Sequence, residues 1–282
     1  MLALAIHIAT AAAASPPTWS SHDGKLFVDD QPLLIKGVNW YGFETKQGVV
    51  HGLYAQPPSV FYKILEDHQI NAVRLPVDLD LVLHDRKHGY IKPEPDEDGT
   101  SCFLPISASH DDAALAQAAL NASSCGGPSP LMKNSSFEVL QILVQELGKR
   151  GILVLLDLHC LSTRGTNASP VFFDTSHSVQ DTLAGWAKLA RVFGDVWNVL
   201  GADVFNEPFG ATWAEGKPTD MDAFASQVAS TIEQRAPNCE MARTQPEHLT
   251  DCLRNGGKLE SRRGRAALRG GHCAQPQLHK HH

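Results

Sequence analysis

The chain has 282 residues, 43% of them hydrophobic, enough for one sizeable core and about the length of a single α/β barrel or an ordinary two-domain protein. Its formal net charge of −7 provides no basic face, which argues against nucleic acid or an anionic membrane as partner and leaves a neutral sugar polymer compatible. No apolar run reaches the ~20 residues of a membrane span.

The start, MLALAIHIATAAAASPP, is an apolar stretch ending in small residues of A-x-A type, the pattern of a secretory signal, although no Lys or Arg precedes it. Residues 1–15 are therefore read as a signal peptide, with the mature protein secreted to the extracellular space. Sequons at Asn121, Asn134 and Asn167 agree with that destination. Cys102 and Cys125 bracket a loop-like segment and can pair if the protein is secreted, whereas Cys160, beside a strand end, reads as a free core thiol. No C-x-x-C or Cys/His spacing suggests a metal site, and no cofactor is expected.

KLFVDDQPLLIKGVNW reads as a hairpin-like entry, polar at Asp29 and Asp30, followed by an apolar strand through Leu34 and Ile35 that ends at Gly37. FYKILEDHQI has helical spacing and runs into NAVRLPV, a short strand ended by Pro76. SFEVLQILVQELGKRG is an amphipathic helix closed by basic residues and Gly151, and ILVLLDLH follows as a strand. VQDTLAGWAKLARVFGDVWNV then leads into LGADVFNEP. Three helix-then-strand units, with strands too apolar to face water on either side, predict a parallel sheet covered by helices. Between Leu83 and Ser136 the periodicity fails, and 85–135 reads as a loop insertion after the second strand, either functional or without a role.

Each apolar run stops at residues that are awkward to bury: Asn39 and Trp40, then Arg74, then Asp157 and His159, then Asn206 and Glu207. In a parallel α/β barrel the C-terminal strand ends share one opening, so these groups would converge there. Any one of them alone has a bland explanation, a salt-bridged Arg or a hydrogen-bonded His. Their joint occurrence at equivalent positions favours a functional site.

GVNWYGFET at 37–45, NAVRLPV at 71–77, LLDLH at 155–159 and NVLGADVFNEPFGATW at 198–213 resemble the successive strand motifs of glycoside hydrolase family 5, nearest to its endo-β-1,4-glucanases, the cellulases. The resemblance covers roughly residues 25–239, with 85–135 unmatched. It implies an α/β fold, the (β/α)8 TIM barrel, of which about the first half is encoded here, in a retaining hydrolase without cofactor. It also implies Glu207 as acid/base, Asn206 as a contact to the sugar 2-hydroxyl, Arg74 and His159 as supporting groups, and Trp40 and Trp213 near the substrate cleft.

The chemistry fits those roles. Glycoside cleavage needs a proton for the leaving oxygen and negative charge near the oxocarbenium-like carbon, and retaining enzymes supply both from carboxyls ~5–5.5 Å apart. A proton donor at Glu207 calls for burial and a nearby charge. Asn206 can hydrogen-bond a hydroxyl without altering the charge balance, and Arg74 would hold a carboxylate ionised. Trp40, Tyr41 and Trp213 offer flat faces for pyranose rings, or simply belong to the core.

The second carboxylate is expected on a later strand, and the sequence offers no counterpart. From Glu240 onward there is no Val, Ile, Phe, Tyr or Trp, and Lys and Arg outnumber Asp and Glu eight to four, against 16 to 27 in the first 239 residues. Glu240, Glu247 and Glu260 have no strand-like context. The expected organisation is thus a signal peptide at 1–15, the N-terminal part of the barrel at 16–239, and a non-homologous, disordered tail at 240–282 from a truncation or a changed reading frame. The expected substrate is a β-1,4-glucan, cut internally by the intact enzyme, with this chain inactive for want of a nucleophile and monomeric. The alternatives are a hydrolase of another β-glycan such as mannan, or a non-catalytic carbohydrate-binding protein.

Overall fold

The computed structural model describes residues 17–22, 25–92, 94, 130–163 and 169–236. The expected signal peptide, the Cys102 and Cys125 pair, Asn121, Asn167, most of the 85–135 insertion and the 240–282 tail lie outside the described residues.

A small antiparallel sheet opens the fold, formed by β1 (Trp19–His22), β2 (Lys25–Val28) and β3 (Gln31–Leu33). Asp29 and Asp30, both with positive φ, make the turn between β2 and β3, as their polarity suggested. The first parallel strand, β4 (Gly37–Asn39), starts where the sequence reading ended it. Leu34 and Ile35 are not in a strand; they are 79% and 42% exposed. Asn71 explains the shift, because its side chain accepts from Lys36 N at 2.7 Å and donates to Leu34 O at 2.8 Å, tying down a connector that apolar composition alone had made strand-like.

Four parallel strands follow in the order β4, β5 (Ala72–Asp78), β6 (Leu153–Cys160) and β7 (Val199–Asp203). Sequential neighbours that never reverse direction across the sheet are the topology of a barrel, not of a doubly wound sheet. β5 runs through Pro76 to Asp78 instead of stopping at the proline. Arg74 O accepts from Trp40 N at 2.9 Å, so the imide nitrogen of Pro76, two residues on, faces the side where β4 has already ended and no donor is required.

The connecting helices are α1 (Pro58–Asp67), α2 (Leu79–His84), α3 (Ser136–Lys149), α4 (Val179–Phe193) and α5 (Met221–Arg235). α3 begins with a capping box between Ser135 and Glu138, and α4 with one between Ser178 and Asp181. The expected stop of α3 is met: Lys149 ends it, Arg150 caps it, and Gly151 takes a φ of 69°. Phe137, Leu140, Val144 and Leu147 put the apolar face of α3 into the core, beside Val154, Leu156 and Leu158 of β6. The short α2 was not foreseen; it forms because Asp78 at the end of β5 accepts from Leu81 N at 2.9 Å and caps it. Residues 85–92 and the 3-10 turn Pro130–Lys133 belong to the two ends of the 85–135 insertion, and backbone bonds hold the first of them down, Gly89 N to Gln47 O and Lys92 N to Leu53 O, both 2.7 Å.

Candidate active site

The register of the parallel sheet explains how residues far apart in sequence meet. Asn39 lies opposite Arg74, and Asp157 opposite Asp203. Arg74 pairs with Leu155, two residues before Asp157, so all these side chains share one face of the sheet near its C-terminal edge. Arg74 leans along that face. It donates from Nη1 to Asn39 Oδ1 at 2.9 Å, from Nε and Nη2 to Asp203 Oδ2 at 3.0 and 2.9 Å, and from Nη2 to Asn206 Oδ1 at 2.9 Å. Its Nη2 is also 2.9 Å from Oδ2 of Asp157, which is fully buried. One guanidinium therefore joins groups from all four parallel strands and the loop after the last.

Asp157 Oδ2 also accepts from His159 Nδ1 at 2.6 Å, and His159 Nε2 lies 3.5 Å from the Asn206 amide nitrogen. The hydrogen bond to Asp157 raises the His159 pKa against the opposing pull of burial, while burial, reinforced by the charge of Asp203, pushes the Asp157 carboxyl up. Glu44, in the loop after β4, accepts from Gly42 N at 2.6 Å, and burial lifts its carboxyl as well. Cys160 is a free thiol, as expected, and burial pushes it up to about 12, which leaves it unreactive.

Glu207 follows Asn206 on the loop beyond β7. Its φ of 43° lies in the left-handed region, unusual for a residue with a side chain. That turn is held from two sides: Asn206 N donates to Leu158 O at 3.1 Å, and Gly210 N to Pro170 O at 2.8 Å. Glu207 is exposed where burial was expected, and among the described residues its carboxylate has no hydrogen-bond or ion-pair partner.

The aromatic expectations divide. Trp213 and Tyr41 are 43% and 44% exposed, with Tyr41 stacked on His51 at 4.7 Å. Of the two readings left open for Trp40, its surroundings favour the core: it belongs to the core cluster, its Nε1 donates to His51 O at 2.9 Å, and its ring packs on Phe61. Asp203, bonded to Arg74, and exposed Phe209 were not among the candidates read from the sequence. Asp203 was absorbed into the apolar run LGADVF, although a carboxylate two residues before Phe205 at a strand end was a usable signal. Phe209, 73% exposed just after Glu207, looked like an ordinary loop residue. Among the described residues no cluster of His, Cys, Asp and Glu could hold a metal ion.

Comparison with known proteins agrees with this geometry. Residues 34–244 match the family model described as cellulase (glycosyl hydrolase family 5). The chain is 30% identical over 263 residues to the major extracellular endoglucanase of Xanthomonas campestris pv. campestris, covering 90% of this chain and 46% of that protein. It is 23% identical over 233 residues to an endoglucanase of Paenibacillus polymyxa, covering 81% of this chain and 50% of the relative. The chain thus spans about half the length of these relatives. Among solved structures, the endocellulase of Pyrococcus horikoshii in complex with cellotetraose superposes with a TM-score of 0.61 at 25% identity, over 79% of this chain and 55% of that one. The described strands β4 to β7 are accordingly part of a (β/α)8 barrel, and the chain belongs to glycosyl hydrolase family 5, the cellulase family.

Proposed function

We propose that the chain carries the acid/base half of the site of a secreted, retaining endo-β-1,4-glucanase. The observation that supports this best is the gathering of Asn39, Arg74, Asp157, His159, Asp203 and Asn206 at one end of four parallel strands, directly before Glu207. Glu207 delivers the proton to the leaving glycosidic oxygen. Asn206 bonds the sugar 2-hydroxyl, and Trp213 and Tyr41 stack on pyranose rings along the cleft. Arg74, already shared between two carboxylates, keeps the floor of the site electrostatically balanced. The binding of cellotetraose by the Pyrococcus enzyme suggests a run of β-1,4-linked glucose as the ligand, and the extracellular character of the Xanthomonas relative supports secretion.

Retaining hydrolysis also requires a second carboxylate ~5–5.5 Å from the first. Among the described residues the strand-end carboxylates of Asp78, Asp157 and Asp203 are engaged by Arg86 and Arg74, and Glu44 accepts from Gly42 N in its own loop. We therefore expect this chain by itself to bind cello-oligosaccharides without hydrolysing them. A reducing-end assay on soluble carboxymethyl-cellulose checks this: no turnover is expected, and turnover that disappears in Glu207→Gln would show that a nucleophile is present after all. A non-catalytic glucan-binding role is the second reading, favoured by the exposure of Phe209 and Trp213 beside an unpartnered Glu207. Affinity for cello-oligosaccharides that depends on Trp213 in a chain with no hydrolytic activity would support it.

A further inference from the structure

The hydrogen-bond chain from Arg74 to His159 has only one consistent arrangement of donors. Arg74 Nη2 can only donate, so the Asn206 atom 2.9 Å from it must be the amide oxygen. The amide nitrogen then faces His159 Nε2 at 3.5 Å. An amide nitrogen also only donates, so Nε2 must be the bare, accepting nitrogen. The ring proton is left on Nδ1, pointing at Asp157 Oδ2, which accepts it at 2.6 Å. Asp157 can accept this proton because it is fixed in turn: it is fully buried, its Oδ2 is 2.9 Å from Arg74, and its Oδ1 has no hydrogen-bond partner among the described residues. Arg74 and Asp157 thus close a ring of contacts through His159 and Asn206.

We propose that Asp157 is a positioning residue that, with Arg74, fixes the tautomer of His159 and through it the direction of the Asn206 amide beside Glu207. The effect on ligand rests on the reading of the site as a glucan site; the tautomer does not. Four charged groups face the ring or its anchor: Asp157 on its own strand, Arg74 on β5, Asp203 on β7 and Glu44 from the loop after β4. Protonation of His159 would set an Nε2 donor against the Asn206 amide donor and break that contact. Binding that uses Asn206 should therefore weaken as pH falls through the His159 midpoint, by about two- to tenfold for one lost hydrogen bond.

The test is a long-range proton–nitrogen correlation spectrum of the isotope-labelled chain across pH, with the His159 signal assigned by its loss in His159→Gln, alongside calorimetric titration with cellotetraose. Neutral His159 is expected to carry its proton on Nδ1. Asp157→Asn, which keeps the shape and removes the charge, should lower the His159 midpoint and move the pH dependence of binding with it. Asn206→Ala should abolish that dependence. A proton on Nε2, an unmoved midpoint in Asp157→Asn, or a pH dependence that survives Asn206→Ala would each overturn the proposal. The tautomer is read on the unsubstituted protein, so misfolding of a variant leaves that arm intact. If the unsubstituted chain binds no cellotetraose at any pH, the glucan reading fails, while the tautomer and midpoint still decide the positioning role.

Discussion

Arg74 donates from both Nε and Nη2 to a single oxygen of Asp203, at 3.0 and 2.9 Å, latching a cation on β5 to the last residue of β7 across the strand between them. The same guanidinium is the ion-pair partner of fully buried Asp157. Replacing it with an uncharged side chain leaves that carboxylate only its His159 donor, and removing one partner of a buried pair typically costs about 3–5 kcal/mol. Arg74→Met should lower stability by that order in urea unfolding, and Arg74→Lys by less, because it keeps charge but not the fork. A loss below about 1 kcal/mol in Arg74→Met would mean that Asp157 is not held ionised by this contact.

Trp186 on α4 donates from Nε1 to Val204 O at 3.1 Å, anchoring the backbone three residues before Glu207 from behind the sheet. Trp186→Phe retains most of the packing and leaves the buried Val204 carbonyl without that donor, at a cost of about 1–3 kcal/mol. Thermal unfolding checks the size of the loss, and hydrogen exchange at Phe205 and Asn206 should rise with it.

Gly42 has a φ of 142°, and a Cβ placed there would lie 2.2 Å from Val49 O. No side chain fits against that backbone. Gly42→Ala should therefore displace the loop that carries Glu44, whose charge acts on His159, with a stability loss of about 1–3 kcal/mol and a shifted His159 titration. An unchanged titration would separate Glu44 from the site.

His177 sits between Asp80 on α2 and Asp174, each 3.0 Å from a ring nitrogen, and so clasps the segment whose Pro170 holds Gly210. Burial pulls the His177 pKa down, but its hydrogen bonds to Asp80 and Asp174 outweigh that pull and raise it. A group that binds its proton more tightly when folded contributes stability in full below the unfolded value of about 6.5, and loses it as pH rises through the higher folded value. The melting temperature of the unsubstituted protein should exceed that of His177→Gln by most at mildly acidic pH, with the gap closing on the alkaline side. A constant gap would assign His177 a packing role only.

The sequence made the strand-end residues legible because a polar side chain that interrupts an apolar run is visible without coordinates. Asn39, Arg74, His159 and Asn206 were found that way, and the structure brings them into one hydrogen-bonded group. Asp203 was missed because its importance lies in register: it stands opposite Asp157, a relation fixed by pairing between strands. Trp40 stayed open between core and cleft because the same motif can turn an indole inward or outward, and here the His51 carbonyl and Phe61 draw it into the core. The late start of β4 had a similar origin, since the bonds of Asn71 to residues 34–36 span more than thirty positions of sequence.

The most direct test of the central claim is calorimetric titration of the 282-residue chain with cellotetraose, compared with Asn206→Ala and Trp213→Ala. The account predicts binding that weakens about two- to tenfold in each variant, as loss of a polar contact or a stacking face requires. Absence of binding, or binding that neither substitution changes, would contradict a glucan site at the ends of these four strands.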